Sequence, residues 1–474
     1  MFPERSGEPG RRVVIVGSGF AGYFAARRLQ RRLRNTRVHL TILSATDGFL
    51  YSPLLPDVAV GAVDPRSVVV PLSGTLPGVT VTRGRATGVD LGARLVSYVD
   101  SLGEVAHLGY DRLLLAPGGV TRLLDVPGLA EHGIGFKTVA EALYLRDHVL
   151  DRLEIASATA DPLRRRAALT FVVVGAGYAG TELTAQMARL TTNLLPFYPA
   201  LGPDDIRWIL VDMASSVMPE LGEHLGTYAL KLLRKRSVDV RLGVSASEVT
   251  ATHVTLTDAT RLDCNTLVWC AGVMPNPLIE ALDLPTTKGR LDVELTLSVP
   301  DHPEVYAIGD AAAVPDSSKD SGPEGALPIC PPTAQHAIRQ ASAVARNIAA
   351  DLGHGSARPY HHGNLGLVVD LGGYAAAATP VRVHLRGPLA KIATRGYHLY
   401  VLPTVRRRVR VALDWMLSGK HSDDVSFGLL SREIGLAQFE ASDHSQREME
   451  TSGEATVGAH DVSAGAIPAV LPQR

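Results

Sequence analysis

A glycine fingerprint that occurs twice, each time between an apolar run and a helical pattern, limits what this chain can fold into more than any other feature of its 474 residues. In the first copy, residues 12–29 read RVVIVGSGFAGYFAARRL. Val13 to Val16 make the continuous apolar run of a strand buried on both faces, and the apolar positions from Phe20 to Leu29 suit one face of a helix. Between them Gly17, Gly19 and Gly22 complete G-x-G-x-x-G. Gly17 permits the turn, Gly19 lets a pyrophosphate approach the backbone, and Gly22 lets helix and strand pack closely. The free N–H groups at the helix start, around Phe20 and Ala21, then face the phosphate charge. One copy alone leaves open a Gly-rich turn that holds no ligand.

Residues 170–190, TFVVVGAGYAGTELTAQMARL, repeat the pattern with Gly175, Gly177 and Gly180, and Tyr178 opens the helix. Two copies of the same strand, fingerprint and helix imply two dinucleotides rather than two unrelated turns. A third signature, VYAIGD at 305–310, is an apolar strand ending in Gly309 and Asp310. The fold class expected is α/β with two Rossmann-type dinucleotide-binding domains, followed by a basic amphipathic helical region. The division predicted is 11–128 and 290–374 for one dinucleotide domain in two parts, 129–289 for the other, 375–437 for the basic region and 438–474 for a disordered tail rich in Ser, Glu, Gly and Ala.

Composition allows this reading and removes others. A content of 46% hydrophobic and 20% charged residues is ordinary for a globular core. A net charge of −1 gives no global attraction to nucleic acid or to an anionic membrane, so such a partner must be met by a local patch. Cys264, Cys270 and Cys330 form no C-x-x-C and no zinc spacing, which predicts no metal set, no structural disulfide and a reducing compartment. Met1 to Arg12 has no apolar core for a signal peptide, and no run of about 18 uncharged apolar residues offers a spanning helix. The chain is expected to stay on the cytoplasmic side.

Between the fingerprints, Arg37 to Leu43 reads as a second strand, and the position where an acid usually meets ribose hydroxyls is Ser44. A serine there can hydrogen-bond but carries no charge. Residues 49–63, FLYSPLLPDVAVGAV, read as an apolar loop and helix containing Pro53; they are either core packing or a wall beside a cofactor ring. Strands ending in Gly-rich turns return at Gly118 and Gly272. Glu182, directly after the second fingerprint, either complements the helix macrodipole or points toward the reacting ends of the cofactors. The strand at 208–211 ends in Asp212, an acid suited to adenosine ribose hydroxyls; with Met213 rather than Arg beside it, NAD is favoured over NADP. Pro331 and Pro332 prepare a helix start that Thr333 can cap, leaving the N–H groups near Ala334 and Gln335 free.

From about Arg12 to Gly428 the chain resembles the type II NADH dehydrogenases, within the pyridine nucleotide-disulfide reductase-like flavoproteins. GSGFAG, FLYSPLLPDVAVG, GAGYAGTE, VYAIGD and PPTAQHAIRQ stand in that family's order. The resemblance implies FAD on the first fingerprint, with Asp310 on its ribityl chain, and NADH on the second. It also implies a quinone beside Glu182, Gln335 and the helix that follows. Where relatives carry Ala-Gln-x-Ala-x-Gln-x-Gly, this chain has Arg339 at the second Gln and Ala341 at the Gly. Gln340 is next door but about 100° around a helix, so it is not an automatic replacement. A soluble NADH diaphorase or oxidase, and a redox sensor that binds both cofactors without turnover, are the alternative functions.

The stretch from Ala375 to Lys420 has a different character. Its basic residues, among them Arg382, Lys391, Arg395, Arg406, Arg408 and Lys420, face only Asp414 as an acid, with apolar and aromatic residues between them. A basic amphipathic pair of helices broken at Pro403 reads as an anchor at an anionic membrane surface; a homodimer face is the alternative.

Overall fold

The computed structural model describes residues 10–320, 327–363, 365–380 and 383–418. The tail predicted at 438–474, and Arg382 and Lys420 of the basic stretch, lie outside them.

The expected α/β fold is found. The buried run Val13–Val16 lies in the strand Arg11–Val16, flanked in parallel by Val38–Ser44 and Arg112–Leu115. These are central strands of an eight-stranded sheet. One strand in it, Val79–Asp90, does two jobs. Its first half runs parallel to Val38–Ser44, and from Gly84 onward it pairs antiparallel with Leu95–Asp100. On the other side, His302–Ala307 joins in parallel beside Arg112–Leu115, with Val305 opposite Leu113. This late strand brings Gly309 and Asp310 to the carboxyl end of the sheet that carries the first fingerprint. The helix Ala334–Asp351 then packs on the helix Phe20–Arg32.

A second, five-stranded parallel sheet runs in the order Ile134–Gly135, Thr266–Trp269, Thr170–Val174, Arg207–Asp212, Asp239–Leu242. Thr170–Val174 is buried throughout, as a strand covered by helices on both faces must be. The turns at Gly118 and Gly272 meet in a ribbon in which Gly119–Thr121 pairs with Val273–Pro275, and this ribbon ties the two sheets together.

Two expectations are corrected. In the sequence, Gly363 to Gly373 reads as the segment that completes the main sheet; Val368–Asp370 does not add to that sheet but forms a separate antiparallel one with Ala376–Ala378 and Leu385–Arg386. Gly372 and Gly373, at φ of 76° and 62°, reverse the chain at once, and a parallel partner would have needed a long crossover. The C-terminal pair of helices does form, as Pro388–Val401 and Val405–Leu417. The basic stretch is not a solvated face throughout, however. Lys391 is buried against Asp370, Arg395 lies 4.8 Å over the ring of the buried Trp415, and Arg407 donates to Val69 O at 2.7 Å. What remains outside is apolar as well as basic: Leu389, Ile392, Tyr400, Met416 and Leu417 are between 67% and 81% exposed. No helix among the described residues is long and apolar enough to cross a membrane.

Candidate functional site

The two fingerprints have the shape of pyrophosphate cradles. A Cβ at Gly22 would fall 1.9 Å from Gly17 O, and one at Gly180 would fall 1.9 Å from Gly175 O, so only glycine lets each helix sit this close to its turn. At Gly19 and Gly177 an added Cβ would meet nothing within 4 Å, which leaves open space in front of each helix start. Gly17 and Gly175 hold φ of 98° and 110°, and neither helix is capped by a side chain. Free N–H groups facing open space suit the phosphates of a dinucleotide, so the residues present fit both cofactors.

The residues at the strand ends are tied to these loops. Ser44 Oγ lies 2.6 Å from Ser18 Oγ and donates to Thr46 O at 2.7 Å. Asp212 accepts from Ala176 N at 2.5 Å and from Ala214 N at 2.7 Å, which places its carboxylate against the second cradle. Pro53 stands in the short turn Ser52–Leu54 beside the first cradle; next to it Tyr51 packs on Phe20 at 5.7 Å, and Phe49 meets Phe20 edge-on at 5.0 Å.

Asp310 sits where the late strand meets the first cradle. At Gly309, which has φ of 75°, an added Cβ would come within 2.9 Å of Ala21 Cβ, so the two motifs are in contact. Burial pushes the Asp310 carboxyl up, while nearby Lys137 and Arg290 pull it down. Thr333 caps the following helix, with its Oγ1 accepting from His336 N at 3.3 Å. Ala334 is the first residue of that helix. Gln335 Nε2 donates to Gly366 O at 2.6 Å, its side chain also bonds Tyr397, and Arg339 Nη1 donates to Gln335 O at 3.0 Å. Gln340, set aside in the sequence because of its angle, is buried and accepts from Gly309 N at 2.8 Å through Oε1. The helix is turned so that Gln340, rather than Arg339, braces the Gly309–Asp310 turn.

Glu182 is not a first-turn residue of its helix, Tyr178–Leu194, so the macrodipole account does not apply. Its Oε1 accepts from Asp370 N at 2.7 Å, and Oε2 accepts no hydrogen bond among the described residues. Asp370 in turn holds Lys391 Nζ at 2.5 Å. Asp57 completes the group, buried and accepting from Trp415 Nε1 at 3.1 Å. Burial, reinforced by the neighbouring carboxylates, pushes Glu182 well above the usual carboxylate range. Burial followed by the charge of Asp370 raises Asp57 to about 6. Beside them His398 Nδ1 lies 3.0 Å from Tyr51 OH, and burial lowers its pKa to about 4. Asp57, Asp370 and Lys391 were not singled out from the sequence as site residues. The available signal was an acid inside an apolar run, in both SPLLPDVAV and GLVVDLGG.

Residues 11–341 match the pyridine nucleotide-disulphide oxidoreductase family. The chain is 31% identical over 433 residues to the type II NADH:quinone oxidoreductase Ndh of Mycobacterium tuberculosis, covering 88% of this chain and 90% of that one. It is 28% identical to the demethylphylloquinone reductase NdbB of Synechocystis, covering 85% and 95%. Among solved structures, NDH2 from Plasmodium falciparum in complex with NADH superposes with a TM-score of 0.77 at 17% identity, over 86% of this chain and 97% of that one. The cradles, the Gly309–Asp310 turn and these relatives agree: the chain belongs to the type II NADH:quinone oxidoreductases, FAD-dependent enzymes that carry electrons from NADH to a quinone without pumping protons.

Proposed function

We propose that residues 11–128 and 290–374 hold FAD, that residues 129–289 hold NADH, and that the quinone is reduced where Glu182, Gln335 and Arg339 converge. The observation that carries this assignment is the hydrogen bond from Asp370 N to Glu182, which joins the helix of the NADH cradle to the segment following Gln335's partner Gly366.

Bound FAD supplies the chemistry, accepting a hydride from NADH and passing the electrons on. The chain supplies position and protons. Gly17 to Gly22 and Gly175 to Gly180 bind the pyrophosphates through backbone N–H groups, and Asp310 and Asp212 bind sugar hydroxyls. Gly118 and Gly272 let the ribbon between the sheets run close to the cofactors. The capped start of the helix at Thr333 to Gln335 directs N–H groups at the ring end, where negative charge develops. Quinone reduction consumes protons, and Glu182 has the means to deliver one. Burial raises its pKa well above the usual carboxylate range, which favours the protonated form, and Oε2 accepts no hydrogen bond among the described residues. The Asp370–Lys391 pair holds Oε1 in place from behind.

The exposed apolar side chains of the last two helices, set among Arg406, Arg408 and Arg410, suit a shallow, peripheral seat on an anionic membrane at the cytoplasmic face, where a lipid-soluble quinone resides. Gln335→Ala and Arg339→Ala test the acceptor site by stopped flow. Flavin reduction by NADH should stay near the wild-type rate while reoxidation by quinone slows at least tenfold. Wild-type reoxidation in both variants would move the quinone elsewhere.

A further inference from the structure

We propose that Asp316, Cys330 and His336 form a zinc site, with water as the fourth ligand, at the base of the helix that begins at Ala334. The assignment rests on these side chains and not on the quinone reading. One ligand atom from each residue lies within 4.8 Å of those of the other two. The cysteine spacing in the sequence gives no hint of it, because the three ligands come from separate segments. Asp316 follows the strand Ala312–Ala313, Cys330 precedes the two prolines, and His336 lies in the first turn of the helix.

The site is built before any metal arrives. Asp316 N donates to Pro328 O at 2.7 Å and Cys330 N donates to Val314 O at 2.9 Å, on either side of the bridge between Pro315 and Ile329. These bonds set Asp316 and Cys330 diagonally across that bridge. Both residues are almost fully buried, at 1% and 0% exposure. Each ligand also has an outer partner that fixes its orientation, the arrangement expected around a metal. His336 Nδ1 is engaged by Thr333 Oγ1 at 2.8 Å, which leaves Nε2 for coordination. Asp316 Oδ1 accepts from Ser318 N at 3.1 Å and Ser318 Oγ at 2.5 Å, while Oδ2 faces Lys319 Nζ at 3.8 Å, an exposed ammonium that a metal ion at Oδ2 would displace toward solvent. The Gln340 side chain lies beside the Cys330 thiol. The ring of His336 is further held by His362, stacked at 3.8 Å between centroids and 11° from parallel.

None of the three hydrogen-bonds either of the others, so their donor atoms converge without satisfying one another. A divalent ion resolves this. One thiolate and one carboxylate neutralise its charge in a dry setting, and the neutral imidazole adds a third bond. A mixed sulfur, nitrogen and oxygen set in tetrahedral geometry selects zinc over calcium or magnesium, which take oxygen alone. With Zn–S near 2.3 Å and Zn–N and Zn–O near 2.0 Å, the ligand atoms of a filled site stand about 3.3–3.5 Å apart. Donors up to 4.8 Å apart therefore close by up to about 1.5 Å on binding, which side-chain rotation provides. Binding releases the thiol proton to solvent.

The test uses the flavin-loaded protein, treated with chelator, dialysed and titrated with zinc, with bound metal measured by elemental mass spectrometry. One zinc per chain is expected. Cys330→Ser and His336→Gln should each weaken binding at least tenfold, whereas Cys264→Ser, which alters a buried cysteine in the other domain, should not. X-ray absorption at the zinc edge of the wild type, which requires no variant to fold, should show a single sulfur near 2.3 Å with nitrogen or oxygen neighbours near 2.0 Å. Sub-stoichiometric binding, a shell without sulfur, or a loss in Cys264→Ser equal to that in Cys330→Ser would overturn the site.

Discussion

Glu182 and Asp370 stand 188 positions apart and share a 2.7 Å hydrogen bond from the backbone N–H of one to the carboxylate of the other. Through that bond the helix of the second cradle, Tyr178–Leu194, and the segment that leads to the C-terminal helices are locked at one point.

The first prediction concerns the proton that Glu182 carries. Because its pKa is raised, mainly by burial, the protonated form dominates below that raised value and is lost as pH climbs through it. Quinone-dependent reoxidation of the wild type should therefore decline on the alkaline side. Glu182→Gln should be slower by about 10²-fold, the lower end of what a general acid contributes, and should show no such alkaline limb. Stopped-flow reoxidation across pH 6 to 9 decides it; an unchanged alkaline limb in the variant would assign the proton to another group.

Lys391→Ala should destabilise the fold by about 3–5 kcal/mol, because it leaves the Asp370 carboxylate buried without its counter-ion. Denaturant unfolding measures this. A loss below about 1 kcal/mol would mean that Asp370 takes up a proton or reaches water when Lys391 is gone.

Asp57 predicts a pH signature in stability. Its folded pKa, about 6, lies above the usual carboxylate value of 3.8, so the folded state binds the proton more tightly than the unfolded state. The contribution is fully present below about 3.8 and is lost as pH rises to about 6 and beyond. Asp57→Asn, which keeps an acceptor for Trp415 Nε1, should thus gain on the wild type by on the order of 2 kcal/mol in going from pH 4 to pH 7. Thermal melts of both proteins at the two pH values provide the comparison; parallel behaviour would place the titration elsewhere.

Much of this was legible in the sequence, and what was legible shares a cause. Gly17 to Gly22 and Gly175 to Gly180 are read from spacing because each glycine answers a steric demand made within a few residues. Thr333 was readable for the same local reason, capping the helix start beside it. The Glu182 cluster was not. Lys391 reads as one more surface base until its partner at Asp370 is known, and Asp57 is held by Trp415 from 358 positions away. Charge pairing in a core depends on which distant segments the fold brings together, and periodicity carries no record of that. Val368–Asp370 was misplaced in sheet order for a related reason: its apolar run fits a buried strand of any sheet.

The fourth prediction separates membrane seating from chemistry. Replacing Leu413, Met416 and Leu417 by serine should abolish sedimentation with vesicles containing anionic lipid, because these side chains are 49%, 79% and 81% exposed on one helix. Turnover of a water-soluble quinone should stay within about twofold of wild type, since substitutions at exposed positions outside the core usually shift stability by less than about 0.5 kcal/mol. Vesicle binding that survives the triple change would put the membrane contact on another face.

The strand His302–Ala307, wedged beside Arg112–Leu115, also sets an order of events during synthesis. The first fingerprint leaves the ribosome early, yet Asp310 and the helix that packs on Phe20–Arg32 are made some 290 or more positions later, after the whole of the second sheet. The nascent chain can thus complete its second cradle while its first still lacks one wall. With FAD on the first cradle, as proposed above, a chain stalled or cut before residue 302 would be unable to retain flavin, however intact its opening glycines.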